Sequence, residues 1–212
     1  STYNKAGGSG GDDTMVNSGT VGGGIYTTDG DDTVTMQTGP ESVGGNIDGG
    51  ADFDTIIYSG GTWIQNHSKV VNFEDFEIIA THDLTLSGHW DASGKTVWVK
   101  GGTLSVPDTL VCDGLTIESG HAYISGTVTT SNTYLGGTMQ LTGTLNSNNV
   151  IISWSGALWG TGTINGRLRI YGGIGPGNSV GTLTVNGDVT FENSSNYTAE
   201  IQAAGGGDLL AV

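Results

Sequence analysis

The sequence predicts an all-β fold, a single-stranded right-handed parallel β-helix (a solenoid) of about ten coils. Three observations lead there. Apolar residues alternate with polar ones in short β-branched runs such as Thr96-Val97-Trp98-Val99, Leu115-Thr116-Ile117 and Thr182-Leu183-Thr184-Val185, which is the period of a strand. Gly-Thr followed by an apolar residue recurs at Gly19, Gly61, Gly102, Gly126, Gly137, Gly143, Gly162 and Gly181, so the runs are punctuated on a beat. Asp-Thr pairs at Asp13, Asp32 and Asp54 stand 19 and 22 residues apart. A unit near 20 residues is the mark of a stacked repeat.

Residue types then choose among stacked repeats. The Leu and Asn pattern of a leucine-rich repeat is missing, and the Ala, Leu and Glu of helical repeats are scarce. A propeller needs a period of roughly 40 residues, and a sandwich gives no reason for a regular Gly-Thr beat. One β-helix coil cannot bury its inward face; the coils above and below must cover it. Val, Ile and Leu are therefore expected inside, Thr, Ser and Asn outside, and Gly at corners where positive φ is needed. At about 4.8 Å per coil the rod would be on the order of 50 Å long.

In chain order, residues 1–60 read as acidic Gly-Asp-rich coils built on GGDDTMV, DGDDTVTM and GGADFDTII. Residues 61–156 read as middle coils, with NFEDFEII a strand anchored by Phe73 and Phe76. Residues 157–212 read as a C-terminal repeat region. Within it, GGIGPGNSVG at 172–181 is expected to be one or two corners. Pro176 cannot donate a ladder bond and is expected outside the sheets. Asn178 and Ser179 would bond the turn backbone. Residues 182–185 form the next strand, and Asn186-Gly187 the next turn.

Composition excludes several classes. Net charge is −15 with only six Lys and Arg, so a nucleic-acid partner is excluded. No apolar run is long enough to span a membrane. No apolar core follows Ser1-Thr2-Tyr3-Asn4-Lys5, so no signal peptide opens the chain, and an exported protein would be a piece of a longer precursor. Cys112 is alone, which excludes an internal disulfide and a cysteine metal cluster.

The stretches ALWGTGTING (157–166), GGIGPGNSVGTLTVNG (172–187), Phe191 to Ile201 and GDLL (207–210) follow one another in an order that resembles the passenger domains of bacterial autotransporters (type V secretion). In that family a Gly-Thr-Gly strand, a Pro-Gly-Asn-Ser turn, a Gly-Thr-Leu strand and a later Asp-Leu-Leu succeed one another. The front half is similar too, through its Gly-Asp-Asp-Thr repeats, the Asp48-Gly49-Gly50 turn, and Asn72-Phe73-Glu74 ahead of LTLSG at 84–88. The resemblance implies a pectin-lyase-like β-helix with a signal peptide upstream and a membrane barrel downstream, neither in this fragment. It implies display on, or shedding from, a Gram-negative surface. Cys112 standing alone suits passage through a narrow pore. The implied function is a non-enzymatic scaffold in adhesion, aggregation or biofilm formation. Its partners would be a host surface protein or glycan, or the same protein on another cell. Alternatives are a carbohydrate-active β-helix enzyme (polysaccharide lyase or glycosidase) and a purely structural stalk.

Residues 8–16 and 49–57 each fit the calcium nonapeptide G-G-x-G-x-D-x-U-x with one Gly replaced, and 28–34 fits its second half. Stacked turns would bring Asp12, Asp13, Asp31, Asp32, Asp52 and Asp54 together as oxygen ligands for calcium. The plainer alternative has these Asp oxygens capping backbone N–H groups, with no cofactor at all. Glu74, Asp75, Glu77 and Asp83 cluster, and Asp75 and Glu77 share a face if 73–79 is extended. The two Arg, Arg167 and Arg169, lie far along the chain, so no catalytic residue is assigned. His67, His82, His89 and His121 lack ligand spacing and are expected in turns or at the surface. No Gly-x-Ser-x-Gly elbow supports a serine protease. Trp63, Trp90, Trp98, Trp154, Trp159, Tyr58, Tyr123, Tyr134 and Tyr171 fit either an outer sugar- or receptor-binding face or an internal stack.

Overall fold

Alternating residues make strands only if each strand finds a partner, and here the partner is the next coil. A computed structural model describes residues 4–5 and 10–212 apart from 178 and 204–205. The chain winds into a parallel β-solenoid of about ten turns. Thr14–Asn17 pairs in parallel with Thr33–Met36, that with Thr55–Tyr58, and that with Asp75–Ala80. Further on, Thr109–Ile124, Thr127–Leu135, Thr144–Ile152 and Thr163–Ile170 stack in the same way. Side-chain bonds between neighbouring coils, such as Asn146 to Thr129 at 17 positions and Asp32 to Asp54 at 22, match the period read from the sequence.

The core is a set of vertical apolar columns. Leu110, Val128, Leu145, Ile164 and Val185 stand one above another in register, and each is buried. Burying one such side chain is worth about 1.5–3 kcal/mol, and only the neighbouring coils can bury it. Polar columns run outside. Asn165 donates from Nδ2 to Asn146 Oδ1 at 2.7 Å, and Asn186 donates to Asn165 Oδ1 at 2.8 Å. Each rung thus satisfies the amide of the next.

Four expectations need correction. Strands are not uniformly short: His89–Val106 has 18 residues and Thr109–Ile124 has 16, because the chain stays extended around some corners. Pro176 is not outside the sheets. It is the buried last residue of the strand Gly173–Pro176, beyond the last paired position Gly175, so its missing N–H breaks no ladder bond. Asn186 belongs to the strand Thr182–Asn186, not to the turn. Asn178 lies outside the described residues, as do Gly8 and Ser9 of the first nonapeptide.

The fourth correction concerns the Gly of the Gly-Thr beat. Among the eight, only Gly61 has positive φ, at 83°. Gly19 has open space around it, and the other six are demanded by close approach. A Cβ on Gly126 would stand 1.8 Å from Asp108 O, one on Gly143 would stand 1.9 Å from Gly126 O, and one on Gly162 would stand 2.4 Å from Gly143 O. Each coil's corner carbonyl occupies the space a side chain on the next coil would need.

Candidate functional site

The acidic turns stack into one corner. Register Thr14–Thr33–Thr55–Asp75 puts Asp13, Asp32, Asp54 and Glu74 in a column, one per coil. Asp13 N–H donates to Asp32 Oδ1 at 2.7 Å, Asp32 N–H to Asp54 Oδ1 at 2.9 Å, and Asp54 N–H to Glu74 Oε2 at 2.9 Å. A second, exposed column runs beside it. Asp31 N–H donates to Asp12 Oδ1 and Phe53 N–H to Asp31 Oδ1, both at 3.0 Å, while Gly30 N–H reaches Asp52 Oδ2 at 3.2 Å. A parallel corner leaves N–H groups with no strand partner, and carboxylates at this spacing satisfy them.

The two columns differ in depth. Asp12, Asp31 and Asp52 are exposed, whereas Asp32 is 1% and Asp54 is 0% exposed. Burial pushes the Asp54 carboxyl above the usual carboxylate range. The N–H of Asp32 partly offsets that, and the negative charges of Asp32, Glu74 and Asp31 add to it. The second carboxylate oxygen of Asp32 and of Asp54 is buried without a hydrogen-bond partner. All six sequence-predicted residues lie on this corner, and five of them accept a backbone N–H. Among the described residues no group of three Asp, Glu, His or Cys side chains forms a metal cage. Glu74, weighed above as an acid, is instead the next member of the inner column.

The other acids disperse. Asp75 lies in the strand Asp75–Ala80 on the outer face with Glu77, as its spacing implies. It is held by an ion pair to Lys95, which also sits over the Phe76 ring. The Lys95 hydrogen bond keeps the Asp75 carboxyl below its usual range. Sequence reasoning missed Lys95, although it stands 20 residues on, one coil period. Arg169 pairs with Glu192 at 2.5 Å, and Arg167 is 3.9 Å from Asp188. His82, His89 and His121 are exposed and His67 is half-buried.

The aromatics divide between inside and outside. Tyr58, Trp63 and Trp90 are internal. Tyr58 meets the Trp63 and Trp90 rings edge-on, with centroids 4.9 and 5.2 Å away. Each indole N–H finds a carbonyl: Trp63 donates to Gly60 O at 2.8 Å and Trp90 to Ser87 O at 3.2 Å. Burial pushes the Tyr58 hydroxyl up to about 12. Outside, Trp98, Thr116, Tyr134, Ile151 and Arg169 form one column across five coils. Tyr123 and Trp154 are exposed elsewhere.

Fold and corner together define an acidic β-solenoid whose side chains mostly serve the stack itself. The chain is 38% identical over 87 residues to an extracellular serine protease of Serratia marcescens, a match covering 38% of this chain and 8% of that protein. The chain therefore spans only a small part of its relative's length. No family profile matches the chain, and no solved structure matches it. That relative is named as an extracellular protein. The likeness also overturns the expectation that the protein is not an enzyme, since the relative is named a protease. No helix among the described residues is long and apolar enough to cross a membrane.

Proposed function

We propose that this chain is a β-solenoid segment of an autotransporter-type passenger, displayed on or released from a Gram-negative cell, which holds the rest of the passenger away from the membrane. The observation that carries the reading is the uninterrupted coil-on-coil pairing from Thr14–Asn17 to Leu209–Ala211, joined to the likeness to a secreted protein. Such a stack grows by adding one coil to the last, so it folds as it emerges and needs no disulfide. Surface digestion of intact cells that express the full-length gene tests this. Protease added outside should remove the segment while periplasmic markers survive. A segment protected until the outer membrane is opened would refute the proposal.

The outer column supports a second, finer reading, contact with a surface glycan. Trp98 and Tyr134 stand two coils apart, about 9.6 Å at 4.8 Å per coil. Asn132 and Asn149 run alongside, linked at 3.1 Å, and sugar rings stack on such aromatic faces. Glycan-array binding that is lost in Trp98→Ala and Tyr134→Ala, with folding intact, is the expected result. Equal binding by wild type and both variants would remove this reading.

A further inference from the structure

We propose that Asp32 and Asp54 clamp a divalent cation, calcium by its chemistry, between two adjacent coils of the acidic corner. The pairing of Thr33 with Thr55 makes the two carboxylates neighbours, about 4.8 Å apart along the stack. Both side chains are almost wholly buried. In each, Oδ1 is used by the N–H of the preceding coil and Oδ2 has no donor. A buried, unpaired acceptor is costly, and two like charges side by side are costlier. Their surroundings do not relieve this. Asp13 and Glu74 continue the column at either end, and Asp31 adds charge beside it. Lys95, one coil beyond, is committed to Asp75.

A divalent ion meets the two orphaned oxygens and balances the two charges. Calcium suits the corner better than magnesium, because calcium accepts backbone carbonyls in loose geometry and magnesium demands near-ideal octahedra with retained water. Carbonyls are close at hand. Asp54 Oδ2 packs so tightly on Gly49 that a Cβ there would stand 2.8 Å from it. The Asn72 carbonyl would stand 2.0 Å from the same Cβ, so it borders that oxygen. Only two carboxylates contribute, so the affinity falls in the range of extracellular modules, about 10⁻⁴–10⁻³ M. Because neither oxygen reaches solvent, the ion enters as the coils stack, and binding is read as added stability.

The test uses the 212-residue chain, stripped with a chelator and dialysed at fixed ionic strength. Calorimetric titration with calcium chloride should give one ion per chain, and the urea midpoint should climb with calcium through the millimolar range. Magnesium at equal concentration should raise it less. Asp54→Asn keeps an oxygen for the Asp32 N–H and should abolish the calcium response, as should Asp32→Asn. The exposed Glu118→Gln should leave it intact. No stoichiometric heat and no calcium-dependent midpoint in the wild-type chain would overturn the proposal, whether or not the Asn variants fold. A midpoint blind to calcium but raised by Asp54→Asn would also overturn it, and would show that the pair shares a proton instead.

Discussion

Gly143→Ala tests the reason for the Gly-Thr beat. The added Cβ would stand 1.9 Å from Gly126 O and 2.5 Å from Ser125 O, whereas real Cβ contacts essentially never fall under 3.0 Å. The coils would have to part locally by about an ångström. Two ladder bonds span that gap, Thr144 N–H to Gly126 O at 2.9 Å and Gly143 N–H to Ile124 O at 3.0 Å. Such a shift stretches both beyond bonding distance. Each lost bond costs about 1 kcal/mol, and overpacking adds about 1–3 kcal/mol. The expected destabilisation is therefore about 3–5 kcal/mol. Two controls separate close approach from backbone strain. Gly88 has φ of 76° and open space around it, so Gly88→Ala should cost about 1–2 kcal/mol of strain alone. Gly19 has neither constraint, so Gly19→Ala should stay within about 0.5 kcal/mol of wild type. Urea unfolding followed by far-UV circular dichroism gives the three values. A Gly143→Ala cost no larger than that of Gly88→Ala would refute the argument.

Trp90→Ala should destabilise by about 3–5 kcal/mol and erase most of the near-UV dichroism, because Trp90 is wholly buried against Tyr58; a loss under 1 kcal/mol would place the ring outside the core. With calcium chelated, Asp54 and Asp75 should act in opposite directions on stability. The raised Asp54 value means that its contribution is full below 3.8 and is lost as pH rises toward the folded-state value. The lowered Asp75 value means that its contribution is present above 3.8 and is lost as pH falls below it. Urea midpoints against pH for Asp54→Asn and Asp75→Asn should flatten the upper and lower limbs respectively; the reverse assignment would contradict the geometry. Cys112 is buried, and its thiol is pushed up to about 11. Thiol reagents at neutral pH should modify it only after unfolding, and rapid labelling of the native chain would show that coil to be open.

The coil, its length and its punctuation were legible in the sequence. Period-two runs, the Gly-Thr beat and Asp-Thr pairs 19 and 22 residues apart recover the stacking that the register shows. Even Lys95 beside Asp75 was available to anyone applying the period. The parity of each side chain was not. Alternation assigns faces within a strand, but register shifts between Ala92 and Thr96 and between Lys100 and Thr103 reset it at corners. Sequence alone therefore could not send Trp63 and Trp90 inward and Trp98 outward, nor bury Asp32 and Asp54 while exposing Asp31. Repetition is a local property of the chain, and it survives in one dimension. The inside of a solenoid exists only once the next coil covers it, and that decision belongs to the stack.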